Sequence, residues 1–189
     1  HHQNTGQVGG ISGVDANITD AWAQGYTGAG VNIAVIDQGV EIDHPDLAAN
    51  FNVAGTFDFI DSDTDPSPTF SEEDHGTMVA GTVAAGVSGG CGVGVAYEGT
   101  FSVLRQDLTY SDAVGATIFS YTRDVNAIYN GSFSWGPFVT RGADFEPLTF
   151  AAMADNTVNG RGGLGNIYVF AAGNNGLGGP AGQGENANR

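Results

Sequence analysis

Two residues of this chain combine a suitable side chain with a suitable setting for chemistry. His75 opens the run His75-Gly76-Thr77-Met78-Val79-Ala80-Gly81-Thr82-Val83. Small and apolar residues recur there at helical spacing, which puts the imidazole at a helix mouth. Such a group can carry a proton near neutral pH. Asp37 closes Val31-Asn32-Ile33-Ala34-Val35-Ile36, an apolar and β-branched run that reads as a buried parallel strand. In an α/β sheet the carboxyl ends of such strands are where ligands and catalytic groups collect. Taken separately, His75 also fits a capping or surface residue and Asp37 an ordinary strand end; taken together they fit a base and its orienting carboxylate.

Three further stretches admit a chemical and a plain reading. Asn174 follows Ala171-Ala172-Gly173 at the end of a second hydrophobic strand; its amide can donate to a developing oxyanion, or Asn174-Asn175-Gly176 can simply form a turn. Asp58, Asp61, Asp63 and Asp65 repel one another unless water or a cation screens them, and Ca2+ takes six to eight oxygens from loops of this kind. Ser134, Trp135 and Gly136 form an extended segment that suits either an edge strand or the pairing of a bound polypeptide as an added strand.

The elements that must position these groups alternate in type. The pattern predicts a helix over 17–26 with Thr19 as its N-cap, a strand to Asp37 and an extended stretch over 53–60. A helix from His75 follows, with Met78, Val79, Thr82 and Val83 facing inward. Strands over 100–104, 127–130 and 166–172 alternate with helices over 111–121 and 145–158. This predicts an α/β fold of three layers, a mainly parallel sheet flanked by helices. A length of 189 residues without repeats fits a single domain.

The formal charge is −16 and all five basic residues are arginines. That balance argues against a nucleic-acid partner and favours cations, basic peptides or a salty extracellular medium. No apolar run reaches the roughly 18 residues that span a bilayer, so no membrane partner is expected. Cys91 is the one cysteine, and on its own it fits a small buried hydrophobe.

Ile36-Asp37-Gln38-Gly39-Val40 with His44-Pro45-Asp46-Leu47, then His75-Gly76-Thr77, then Ala171-Ala172-Gly173-Asn174, resemble in order and spacing the Asp, His and oxyanion-Asn blocks of subtilisin-like serine proteases. The runs Trp22-Ala23-Gln24-Gly25-Tyr26-Thr27-Gly28, Ser134-Trp135-Gly136-Pro137 and Gly160-Arg161-Gly162-Gly163-Leu164-Gly165 point to the kexin/furin-like branch. The resemblance implies a subtilisin-like fold over residues 1–189, the N-terminal and central part of a catalytic domain, and a secreted endopeptidase. It implies Asp37 and His75 as triad members, Asn174 as the oxyanion donor, and Ser134, Trp135, Gly136 and Glu72 as substrate-binding residues. It also implies Ca2+ ligation by Asp58, Asp63 and Asp65, with Asp46 in a second site, and a disulfide from Cys91 to a cysteine near the nucleophile. The family's Gly-Thr-Ser-x-x-x-Pro block does not occur in these residues. The expected partners are therefore a polypeptide substrate and a C-terminal remainder of the same protease that carries the Ser, with the chain nicked or truncated between them.

Several positions depart from the branch. Gln38 stands where a second Asp is usual, Phe138-Val139 replace acidic residues and Gly115 replaces a Glu. Strict cleavage after paired basic residues is therefore not expected. The competing expectation is an inactive subtilase fold that binds calcium or peptide.

Overall fold

The computed structural model describes residues 2, 5–6, 9–70, 73–88, 90, 92–107, 110–133 and 146–171. Among these described residues five strands form one sheet: β1 (Asn32–Asp37), β2 (Phe57–Asp58), β3 (Thr100–Arg105), β4 (Ile128–Gly131) and β5 (Ile167–Phe170). Their order is β2-β3-β1-β4-β5 and every pairing is parallel. Four helices accompany them: α1 (Ile18–Ala23), α2 (His75–Ala84), α3 (Asp112–Ile118) and α4 (Pro147–Gly163).

All six residues of β1 are buried, as a central strand covered on both faces requires. Its side chains alternate between two cores. Val35 packs with Ala80, Ala84, Phe101 and Val103 in the layer of α2. Ala34 and Ile36 pack with Leu104, Ile118, Phe119 and Tyr129, joined by Met153 and Tyr168, in the layer of α3 and α4. The three layers and parallel sheet are those expected from the sequence. Asp37, two residues beyond Val35, falls on the α2 face.

Local details differ from expectation, each for a definable reason. Helix α2 turns Gly76, Ala80 and Ala84 inward, whereas Met78 is 59% exposed. The helix lies so close to β1 that only small residues fit, and Val79 and Val83 pack along its flanks. The N-cap of α1 is Asn17 in the left-handed region (φ 53°), with its N–H bonded to Asp15 Oδ1, rather than Thr19. Asn tolerates that conformation better than most side chains. The stretch predicted as extended begins with a 3-10 turn, Val53–Gly55, because the Asn52 side chain accepts the Ala54 N–H. Helix α4 runs past the predicted residue 158, and its final turn leaves helical torsions at Gly160, Arg161 and Gly162.

One carboxylate ties the start of α3 to the start of α4. Asp112 accepts the N–H groups of Leu148 (3.0 Å) and Thr149 (2.9 Å), two of the unpaired donors at the start of α4. Partial desolvation opposes its charge, yet these donors outweigh it and hold the carboxyl below its ordinary value of 3.8. A depressed carboxyl contributes stability that is present above the unfolded-state pKa and lost as pH falls through the folded one. The Asp112→Asn variant should therefore melt below the parent at pH 7, and the gap should narrow as pH falls below the ordinary carboxyl value, as read by circular dichroism melts across pH.

Candidate functional site

Two structural choices bring Asp37 and His75 together. Strand β1 delivers Asp37 to the carboxyl edge of the sheet with 4% exposure. Helix α2 begins at His75 and crosses that edge at close range. A Cβ built on Gly76 would lie 2.1 Å from the Gly39 carbonyl oxygen and 3.0 Å from Asp37 Cβ. Only a residue without a side chain lets the helix start there.

The resulting contact is short. His75 Nδ1 lies 2.9 Å from Asp37 Oδ2 and 3.1 Å from Oδ1. An imidazole nitrogen so close to a carboxylate donates its proton, which leaves Nε2 as the acceptor. The His75 side chain is 51% exposed, so this nitrogen can meet an incoming hydroxyl. Asp37 Oδ1 also accepts the Gln38 N–H at 2.9 Å, and the Asp37 carbonyl accepts the Gln106 N–H. Among the described residues only the Nδ1 side of the ring is engaged, an arrangement in which a buried carboxylate can orient an imidazole for proton transfer.

Beside this pair stands a residue that the sequence reading counted but did not single out. Arg105 ends β3 and is 2% exposed. Its NH1 donates to Asp58 Oδ2 (2.6 Å) and Asp61 Oδ2 (2.9 Å). Its NH2 donates to Thr69 Oγ1 (2.6 Å) and Glu73 Oε2 (3.3 Å), and Nε donates to the Gln38 carbonyl (2.8 Å). Burial opposes the guanidinium's charge, but Asp58 and Asp61 more than compensate and hold its pKa above the ordinary value. The available signal was an Arg closing a buried strand in a chain with 21 acidic residues and few bases.

The acidic loop is organised around that guanidinium. Asp58 is fully buried; while Oδ2 meets Arg105, Oδ1 accepts the N–H groups of Ile60 and Asp61. Asp63 Oδ1 accepts the Asp65 N–H and Asp65 Oδ1 accepts the Ser67 N–H. Bonding to Ser67 holds the Asp65 carboxyl below its ordinary range. Among the described residues no three acidic, His or Cys side chains gather as a metal cage. Both Asp58 oxygens accept protein hydrogen bonds, Oδ1 from two backbone N–H groups and Oδ2 from Arg105. Asp46 lies elsewhere, against the loop after α2, where its carbonyl accepts the Gly86 N–H at 2.8 Å. Glu72, Cys91, Ser134, Trp135, Gly136 and Asn174 fall outside the described residues.

The Subtilase family pattern matches residues 28–188. Human neuroendocrine convertase 2 is 41% identical over 181 residues, which cover 92% of this chain and 28% of the relative. Bovine furin is 42% identical over 176 residues, covering 89% of this chain and 22% of furin. Among solved structures, the serine protease of Aeromonas sobria, crystallised in complex with a chaperone, superposes with a TM-score of 0.77 at 29% identity. That match covers 88% of this chain and 28% of the other. The chain thus spans less than a third of the length of these relatives.

The close crossing at Gly76 yields a direct test. The Gly76→Ala variant should lose about 1–3 kcal/mol of folding stability, the usual range for forcing a methyl into packed space. Urea unfolding of parent and variant would measure the difference.

Proposed function

This chain belongs to the subtilase family of serine proteases, in its kexin/furin-like branch, and on that premise we propose that it contributes Asp37, His75 and Asn174 to a secreted endopeptidase whose nucleophilic Ser is carried on a further segment of the same protease. The observation that supports this most is the 2.9 Å contact between His75 Nδ1 and a buried Asp37 carboxylate, with Nε2 left open.

The proposed reaction is acyl transfer. The Ser hydroxyl gives its proton to His75 Nε2 as its oxygen attacks the scissile carbonyl, and Asp37 stabilises the imidazolium so formed. The Asn174 amide donates to the oxyanion, a contribution worth about 3 kcal/mol in such sites. His75 then returns the proton to the leaving amine, and a water molecule repeats the cycle to release the acyl group. Ser134, Trp135 and Gly136 are proposed to pair with the substrate backbone, and Glu72 to receive a basic side chain. With Gln38 at its position, a basic residue is preferred rather than required.

Calcium enters as a stabilising ion, and no catalytic step depends on it. Asp58, Asp63 and Asp65 are its proposed ligands in one site and Asp46 in a second, on the strength of the resemblance, with Asp58 also paired to Arg105. Among the described residues no helix is long and apolar enough to cross a membrane.

In the assembled protease, His75→Ala should abolish peptide hydrolysis, and Asp37→Asn should lower kcat by roughly 10^4, as expected when the imidazole loses its orienting partner. Denaturing mass spectrometry with and without reductant tests the source of the Ser: a second polypeptide or a longer chain bearing a Gly-Thr-Ser block supports the proposal. A sole species of 19.3 kDa with no hydrolysis would instead favour an inactive binding module.

A further inference from the structure

We propose that Arg105 is a positioning residue for peptide-bond hydrolysis, holding both the carboxylate Asp37 and the segment that leads into His75 in working geometry. This inference rests on the hydrolytic reading above.

A guanidinium has five N–H donors in a rigid planar fork. All five of Arg105's donors have an acceptor: the Gln38 carbonyl for Nε, Asp58 and Asp61 for NH1, Thr69 and Glu73 for NH2. These acceptors come from three stretches of chain. Gln38 is the residue whose N–H binds Asp37 Oδ1, so its two backbone polar groups link the guanidinium to the carboxylate that meets His75. Thr69 and Glu73 lie in the stretch that runs into α2, and Glu73 Oε2 also accepts the Thr69 N–H at 2.8 Å. One buried fork therefore fixes the orienting carboxylate from one side and the approach to the imidazole from the other.

The sheet register reinforces the arrangement. Arg105 is the Cα partner of Asp37 on β1 and of Asp58 on β2, so the three charged groups stand side by side on neighbouring strand ends. Lysine has only three donors on a flexible stem and cannot reproduce the fork. A displacement of Asp37 or of the residues before His75 by about 1 Å is enough to lower turnover by up to roughly 10²-fold in a positioned site.

The experiment uses the assembled protease, normalised by titrating its reactive Ser with a serine-directed phosphonylating reagent. Arg105→Lys, Thr69→Val and Glu73→Gln are compared with the parent for kcat, KM and the pH profile of kcat/KM. Per titrated site, Arg105→Lys should lower kcat by about 10- to 100-fold and move the acid limb of the profile, since Asp37 no longer holds the imidazole as firmly. Thr69→Val and Glu73→Gln should each lower kcat/KM several-fold. A purely structural role predicts otherwise: a lower melting temperature and fewer titratable sites, but parental constants and pH midpoint at each remaining site. That result would overturn the proposal. If Arg105→Lys does not fold, the other two variants decide, and parental constants in both overturn it. Failure of the hydrolytic reading is visible earlier, in a parent that has no titratable Ser or whose hydrolysis survives His75→Ala; it removes this inference as well.

Discussion

A carboxylate buried at the end of a strand keeps its charge only where donors replace the water it has lost. Two strands of this sheet end in such groups, Asp58 on β2 and Asp37 on β1, and the strand between them ends in Arg105. Charge thus alternates along the carboxyl edge of the sheet. Asp58 is compensated by the guanidinium and two backbone N–H groups, and Asp37 by the Gln38 N–H and the His75 ring. Much of the local architecture follows from these needs. The acidic turn folds back so that Asp61 reaches Arg105, and α2 starts within touching distance of Gly39 so that His75 reaches Asp37.

Such compensation also explains why an acid-rich loop can be ordered from within. Mutual repulsion among Asp58, Asp61, Asp63 and Asp65 suggests an external cation when only the sequence is considered. Folding supplies a resident one. The guanidinium pairs with two of the four carboxylates and the other two accept neighbouring backbone N–H groups, so part of the repulsion is offset within the chain.

What could be read from the sequence was whatever a local pattern determines. The apolar run before Asp37 and the alternation of strand and helix follow from periodicity and specify the layers; family spacing paired Asp37 with His75. The inward face of α2 differs from expectation because a hydrophobicity pattern selects Met78, whereas the distance to β1 selects Gly76, Ala80 and Ala84, with Val79 and Val83 at its flanks. Arg105 escaped notice for a related reason. Its side-chain partners lie 32 to 47 residues away, and no local spacing reveals that. Asp112 falls in the first turn of the helix predicted over 111–121, but its carboxylate serves the next helix as well, a long-range role that the local pattern does not contain.

The all-parallel order of the sheet bears on how the protein reaches this state. No two neighbouring strands can be joined by a tight hairpin, and β1 meets β3 only when Asn32 finds Thr100 across a long loop. Closing such loops costs entropy before any contact compensates, which makes nonlocal parallel topologies slow to form. The edge where Asp58, Arg105 and Asp37 lie abreast cannot exist until both pairings of β3 are complete. Until β3 has paired on both sides these charges have no fixed relation to one another, so the fork of Arg105 belongs to the finished sheet alone.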